Sequence, residues 1–139
     1  MARSTFNGPV VSQNGFIQGH QLTTANAINA DATATAAQVA SGYITSTSAA
    51  PTTITLPTGT ELGTAIGASR GTVLDLFIDN SAGASTVTVA INTNAVLSSA
   101  AVDTAGSFGD LTIASGATGV ARFTLMFSSA TAYTFTRTA

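Results

Sequence analysis

Gly67-Ala68-Ser69-Arg70-Gly71 has the G-x-S-x-G spacing of a nucleophile elbow. That motif presents its serine on a sharp turn after a strand and before a helix, with an acid and a histidine later in the chain. Here the segment precedes a strand-like run from Gly71, and the single histidine, His20, lies upstream. The spacing therefore reads as a loop. Asp75 and Asp79 stand four apart, with Asp103 and Asp110 further on. Clustered carboxylates could hold Ca²⁺, which takes about six to eight oxygen ligands, but no D-x-D-x-D-G loop gathers these. Hydrogen-bonded strand aspartates are expected instead. His20 alone can build neither a zinc site nor a catalytic triad. Nothing in the sequence sets a second carboxylate beside Glu61 to make a glycosidase couple. Tyr43 and Tyr133 are too few for a carbohydrate-stacking platform, and a Walker-type phosphate loop needs the lysine this chain lacks. No catalytic residue, metal or cofactor is expected. The chain reads as a non-enzyme.

Composition points the same way. Four arginines and six acidic residues are the only formal charges among 139 residues, a charged fraction of 7%, where soluble domains carry about 25%. Hydrophobic residues make up 45%. Such a chain cannot cover itself with the mixed charges that keep monomers apart, so much of its surface is expected to be buried against other subunits. No apolar run approaches the roughly 18 to 20 residues of a spanning helix, and no apolar stretch follows Arg3 to make a secretory signal. No membrane partner is expected. Arg3, Arg70, Arg122 and Arg137 do not form the basic footprint of a nucleic-acid binder. Without cysteine there are no disulfides and no thiolate metal sites.

The chain divides near residue 42. Residues 1–42 are rich in Asn, Gln, Ala and Thr, with scattered large apolar residues and turn signals at Asn7-Gly8-Pro9 and Asn14-Gly15. This is the pattern of an extended arm ordered by what it touches. Alanine favours helix, so one short turn over Thr35 to Ala40, closed by Gly42, is expected.

From residue 43 to 139 the period is 2. Ile54 and Leu56 share a face, as do Leu74, Leu76 and Ile78, then Val87, Val89 and Ile91, then Phe123, Leu125 and Phe127, then Tyr133, Phe135 and Arg137. Alternation of this kind marks half-buried strands, and threonine-rich opposite faces suit a pleated sheet. Phe123, Leu125 and Phe127 are expected to face inward against Leu74, Leu76 and Ile78. Leu62 and Ile66 at i, i+4 suggest one helical turn plugging an end of the core. Short strands separated by Gly/Ser turns predict an all-β fold: an antiparallel β-sandwich or barrel, jelly-roll-like, behind the N-terminal arm.

The segment Met1-Ala2-Arg3-Ser4-Thr5-Phe6-Asn7-Gly8-Pro9-Val10-Val11-Ser12, then Asn14-Gly15-Phe16, resembles the N-terminus of small head decoration (cement) proteins of tailed bacteriophages, where an F-x-G-P-V element opens an arm. Thr33 to Ile44, Thr53-Ile54-Thr55-Leu56-Pro57-Thr58, Phe77-Ile78-Asp79-Asn80, Ser85 to Ala90 and the Val120 to Tyr133 hairpin are similar to that family's later elements. The resemblance implies a β-rich domain, usually a homotrimer, on the outer surface of the virion capsid, clamping major capsid protein subunits with its arm on the shell. Phe6, Gly8, Pro9 and Val10 carry the motif, with Arg3 and Phe16 beside them as further capsid contacts. Phe6 and Val10 would be buried anchors. Gly8 would permit close backbone approach, and Pro9 would limit the entropy lost on docking. The charge-poor mixed faces bearing Val73, Phe77, Ala90 and Met126 are the expected trimer interface, since large exposed apolar patches mark interaction sites. The other reading is a head- or tail-fibre module binding host-surface glycans, which needs exposed aromatics or a charged groove.

Overall fold

Runs of alternating β-branched residues become strands, and two short helices begin where Thr stands three residues before Gln or Glu. A computed structural model describes residues 26–97 and 111–139. Their order is β1 (Ala32–Thr33), α1 (Ala36–Ala40), β2 (Tyr43–Thr45), β3 (Thr52–Thr55), α2 (Gly59–Ile66), β4 (Val73–Asp79), β5 (Val87–Ala90), β6 (Ala95–Leu97), β7 (Thr112–Ile113), a 3-10 turn (Gly116–Thr118), β8 (Val120–Ser129) and β9 (Ala132–Arg137). The expected capsid contacts Arg3, Phe6, Gly8, Pro9, Val10 and Phe16 lie outside the described residues, as do His20, Asp103 and Asp110.

The strands form two sheets, ordered β1-β3-β5-β7 and β2-β4-β8-β9-β6. The fold is β-rich with few helices, and neither sheet closes into a barrel. The antiparallel expectation is corrected. Among the described residues, four of the seven strand pairings (β1–β3, β2–β4, β3–β5 and β6–β9) are parallel, and β4–β8, β5–β7 and β8–β9 are antiparallel. A jelly roll is antiparallel throughout, so that part of the expectation falls with it. Period-two alternation fixes which face is buried and is silent on the direction of the neighbouring strand.

Both sheets feed one core. Ile54, Val87, Val89 and Ile113 of the first sheet join Ile44, Leu76, Ile78, Phe123, Leu125 and Phe135 of the second in a single buried cluster. Leu76 lies opposite Phe123 and Leu74 opposite Leu125, which is the expected inward register. Ile91 departs from expectation: β5 ends at Ala90 and Ile91 is exposed.

The arm boundary also moves. Ile28, Ala34 and Val39 are buried in the core, and β1 pairs with β3, so residues 26–42 belong to the domain. Their side chains are mostly small, which hid their burial from a hydrophobicity reading. Asn26 anchors this segment, its amide donating to the carbonyls of Gln38 and Tyr43 at 3.0 and 2.8 Å.

The helices are set by their caps. Thr35 and Gln38 form a reciprocal capping box on α1, and Gly42 follows with φ of +77°. Thr58 and Glu61 do the same for α2, which closes on Gly67 in the left-handed region. The second helix is longer than the single turn expected. Gly59 and Gly63, one turn apart, pass so close to the backbone of Asn94, Ala130 and Thr131 that no Cβ fits between. That contact lays α2 on the β8–β9 turn, where the Tyr133 hydroxyl donates to the Pro57 carbonyl at 2.8 Å.

Candidate functional site: the outer face of the five-stranded sheet

Side chains alternate across each strand, so what the second sheet does not bury points outward. Register sets these outward residues in rows. Val73 lies across from Met126, Met126 from Thr134, and Thr134 from Val96. The next row is Asp75, Thr124 and Thr136, and beyond it stand Tyr43, Phe77 and Arg122. Asp79 and Val120 close the face. Of the seven exposed large hydrophobics among the described residues, six lie here; Ile91 alone does not. Val73 is 60% exposed, Phe77 41% and Met126 38%. Of the residues expected at a subunit interface, Val73, Phe77 and Met126 therefore share a surface. Ala90 does not: it ends β5 in the other sheet, opposite Thr55.

The carboxylates of the face are each held by hydrogen bonds, while Arg122 Nε is buried without a partner among the described residues. Arg122 donates from Nη2 to Asp75 Oδ2 at 2.6 Å, and the Thr124 hydroxyl donates to Asp75 Oδ1 at 2.7 Å. The guanidinium also lies 5.8 Å from the Phe77 ring centroid. Asp79 accepts from the Ser81 amide at 2.9 Å and from the Tyr43 hydroxyl at 2.7 Å. Both carboxyls are held below the ordinary aspartate range, Asp75 chiefly by Arg122 and Asp79 chiefly by Ser81. The Tyr43 hydroxyl is pushed up by its bond to Asp79.

These shifts set a pH dependence. A carboxyl whose folded pKa is depressed contributes stability above its unfolded pKa, and loses it as pH falls through the folded value. The melting temperature should therefore change little from pH 7 to about 5 and fall below about pH 4. Asp75→Asn should make that acid slope shallower, read by thermal melts across the range. An unchanged slope would show that the Asp75–Arg122 pair contributes nothing to acid sensitivity.

The other chemical candidates do not assemble. Ser69 follows α2 and precedes β4, the reverse of an elbow's order, and its amide donates to the Thr72 hydroxyl at 3.1 Å. Asp75 and Asp79 are bound to separate partners, and no group of three metal-ligating side chains occurs among the described residues. A cavity of about 310 Å³ opens beside Thr33, Ala34, Thr35, Ala36 and Glu61. Glu61 is committed there to the cap of α2, accepting from the Thr58 amide and hydroxyl at 2.9 and 2.8 Å. No helix among the described residues is long and apolar enough to cross a membrane.

Tyr43, Val96 and Val120 belong to the face but were missed in the sequence. Tyr43 and Val96 sit on three-residue strands, too short to show a period. Val120 was legible, because it continues the alternation of Arg122, Thr124 and Met126 by one step. Comparison with family models, curated proteins and solved structures finds no match.

Proposed function

We propose that this chain is a structural protein of a phage virion that decorates the capsid and clamps neighbouring major-capsid subunits as a homotrimer. The observation that carries the reading is the uncovered sheet face, apolar at one end and aromatic toward the other, on a chain with a charged fraction of 7%. A face of that kind is costly on a lone domain in water and suits a part buried in an assembly. The arm motif at Phe6 to Val10 supplies the shell as partner, and two sheets feeding one core support a sandwich as the finer description of the fold.

Deleting residues 1–21 tests the reading. The described core begins at Ile28, so the truncated chain should remain folded. It should lose most attachment to capsids, scored by electron microscopy of shells mixed with each protein. Full occupancy by the truncated chain would remove the arm from the mechanism. Failure of the intact chain to bind any phage shell would remove the reading itself.

One observation favours the fibre-module alternative. Tyr43 and Phe77 are both exposed and stand side by side in adjacent strands, the kind of aromatic pair on which a pyranose ring can stack. Retention on a glycan array, lost in Phe77→Ala, would support that reading.

A further inference from the structure

Phe77 stands between two carboxylates and is served by one guanidinium. Residues i and i+2 of a strand share a face, so Asp75, Phe77 and Asp79 of β4 form a column on the outer side of the larger sheet. On the Asp75 side the column is complete. Arg122, paired with Phe77 across the strands, sets its guanidinium 5.8 Å from the ring centroid and its Nη2 2.6 Å from Asp75 Oδ2. On the Asp79 side no cation among the described residues answers. Asp79 Oδ1 accepts from the Ser81 amide and Oδ2 from the Tyr43 hydroxyl. Both donors are neutral, and a carboxylate has about four lone-pair sites to fill. The column therefore carries two negative charges against one positive.

Exposed carbon surrounds the unanswered carboxylate. Tyr43 lies across from Phe77 on β2, Val120 lies across from Asp79 on β8, and all three apolar surfaces are open to solvent. A neutral sugar seated on the rings would take water from Asp79 without returning a charge, and an anion would be repelled by it. A guanidinium answers both needs, because it stacks on aromatic faces and forks onto a carboxylate. The chain already places one beside the same ring. We infer that the Tyr43–Phe77–Asp79 end of the outer face receives an arginine side chain from the protein on which this chain docks. Val120 would cover the aliphatic stem of that side chain. The inference rests on the docking reading of the proposed function for a protein as partner, and adds a contact made by the folded domain rather than by the arm.

The test uses the full chain, isotopically labelled and titrated by NMR with three probes: acetyl-arginine amide, its uncharged isostere acetyl-citrulline amide, and methyl glucoside. The arginine amide should shift the backbone amides of Tyr43, Phe77 and Asp79 in a saturable way, and the other two should not. Asp79→Asn keeps an oxygen for the Ser81 amide, and Phe77→Leu keeps apolar bulk. Each should weaken arginine binding about fivefold, with far-UV circular dichroism as the check on folding. Asp31→Asn removes an exposed carboxylate elsewhere and should leave binding unchanged. Equal shifts with the citrulline amide would overturn the inference, as would arginine binding that survives both face variants. Shifts with methyl glucoside alone would overturn it in favour of the fibre-module reading. Capsid attachment is scored separately by electron microscopy. Shells decorated equally by Asp79→Asn and the unmodified chain refute only the inference. Arginine binding by a chain that ignores every shell refutes only the decoration reading.

Discussion

Phe123→Ala is expected to cost about 3–5 kcal/mol, a large share of the roughly 5–15 kcal/mol that holds a domain of this kind together. Phe123 is 1% exposed on the middle strand of the larger sheet. Its ring meets Phe135 edge-on with centroids 6.2 Å apart, and Leu76 lies opposite on β4. Truncation removes the ring from both neighbours, and β8, hydrogen-bonded to β4 on one edge and β9 on the other, has little room to collapse into the cavity. The adjacent Thr124→Ala is the informative contrast. Thr124 faces outward and loses its bond to Asp75 and a longer, exposed contact with the Thr138 hydroxyl at 3.4 Å, so about 1 kcal/mol is expected. Urea denaturation of both variants reads the difference. Comparable penalties at the two positions would mean that the outer face is as buried as the core, or that the register of β8 is shifted by one.

That contrast was legible because it depends only on period. Ile54, Leu56, Val87, Val89, Leu76, Ile78, Phe123, Leu125 and Phe127 are buried as their alternation requires. The short helix was legible for a different reason. The alanines between Thr35 and Ala40 favour helix and Gly42 closes it, and the fold adds a Thr35–Gln38 capping box at the start. The pairing of the strands was not legible. A β3 that runs parallel to both β1 and β5 has the same alternation it would have in a hairpin, and short connections between strands bias any reading toward antiparallel neighbours. Residues 26–42 were misread because the buried Ile28, Ala34 and Val39 follow neither a period of 2 nor of 3.6 and are separated by small and polar residues.

The candidate site was half legible. Val73, Phe77 and Met126 alternate with core residues on strands long enough to show both faces, so their exposure follows from the burial of Leu76, Ile78 and Leu125. What sequence could not supply was adjacency. That Tyr43 lies beside Phe77, or Val96 in line with Met126 through Thr134, depends on parallel pairings between β2 and β4 and between β6 and β9. Ala90 was misplaced for the same reason: its alternation was right, and its sheet was unknown.

Asn80 shows most clearly what composition conceals, and it carries the second large effect. In sequence it opens the turn Asn80-Ser81-Ala82-Gly83. In the fold it is fully buried and joins the end of β4 to the other sheet. Its Nδ2 donates to the carbonyls of Ser85, Ile113 and Ala114 at 2.8, 3.2 and 3.0 Å, and its amide nitrogen donates to Gly119 at 2.6 Å. The Oδ1 atom is buried without a hydrogen-bond partner among the described residues, lying against Gly83. The side chain therefore acts as a donor. Asn80→Ala removes the two N–H donors shared among those carbonyls and should cost about 2–4 kcal/mol, since a buried group left unsatisfied costs about 1–3 kcal/mol and the Ile113 carbonyl is buried. Asn80→Asp keeps the shape but sets a carboxylate against the same carbonyl oxygens, so it should be at least as damaging at pH 7. Burial without a donor raises that carboxyl's pKa. An acid whose folded pKa is raised loses stability as pH climbs past its unfolded value and regains it as pH falls through the folded one. The melting-temperature gap between Asn80→Asp and the unmodified chain should accordingly narrow from pH 7 to about pH 5, a range in which Asp75 and Asp79, held low, stay ionised. An Asn80→Asp protein as stable as the original at pH 7 would show that the bonds donated by Nδ2 do not hold the sheets together.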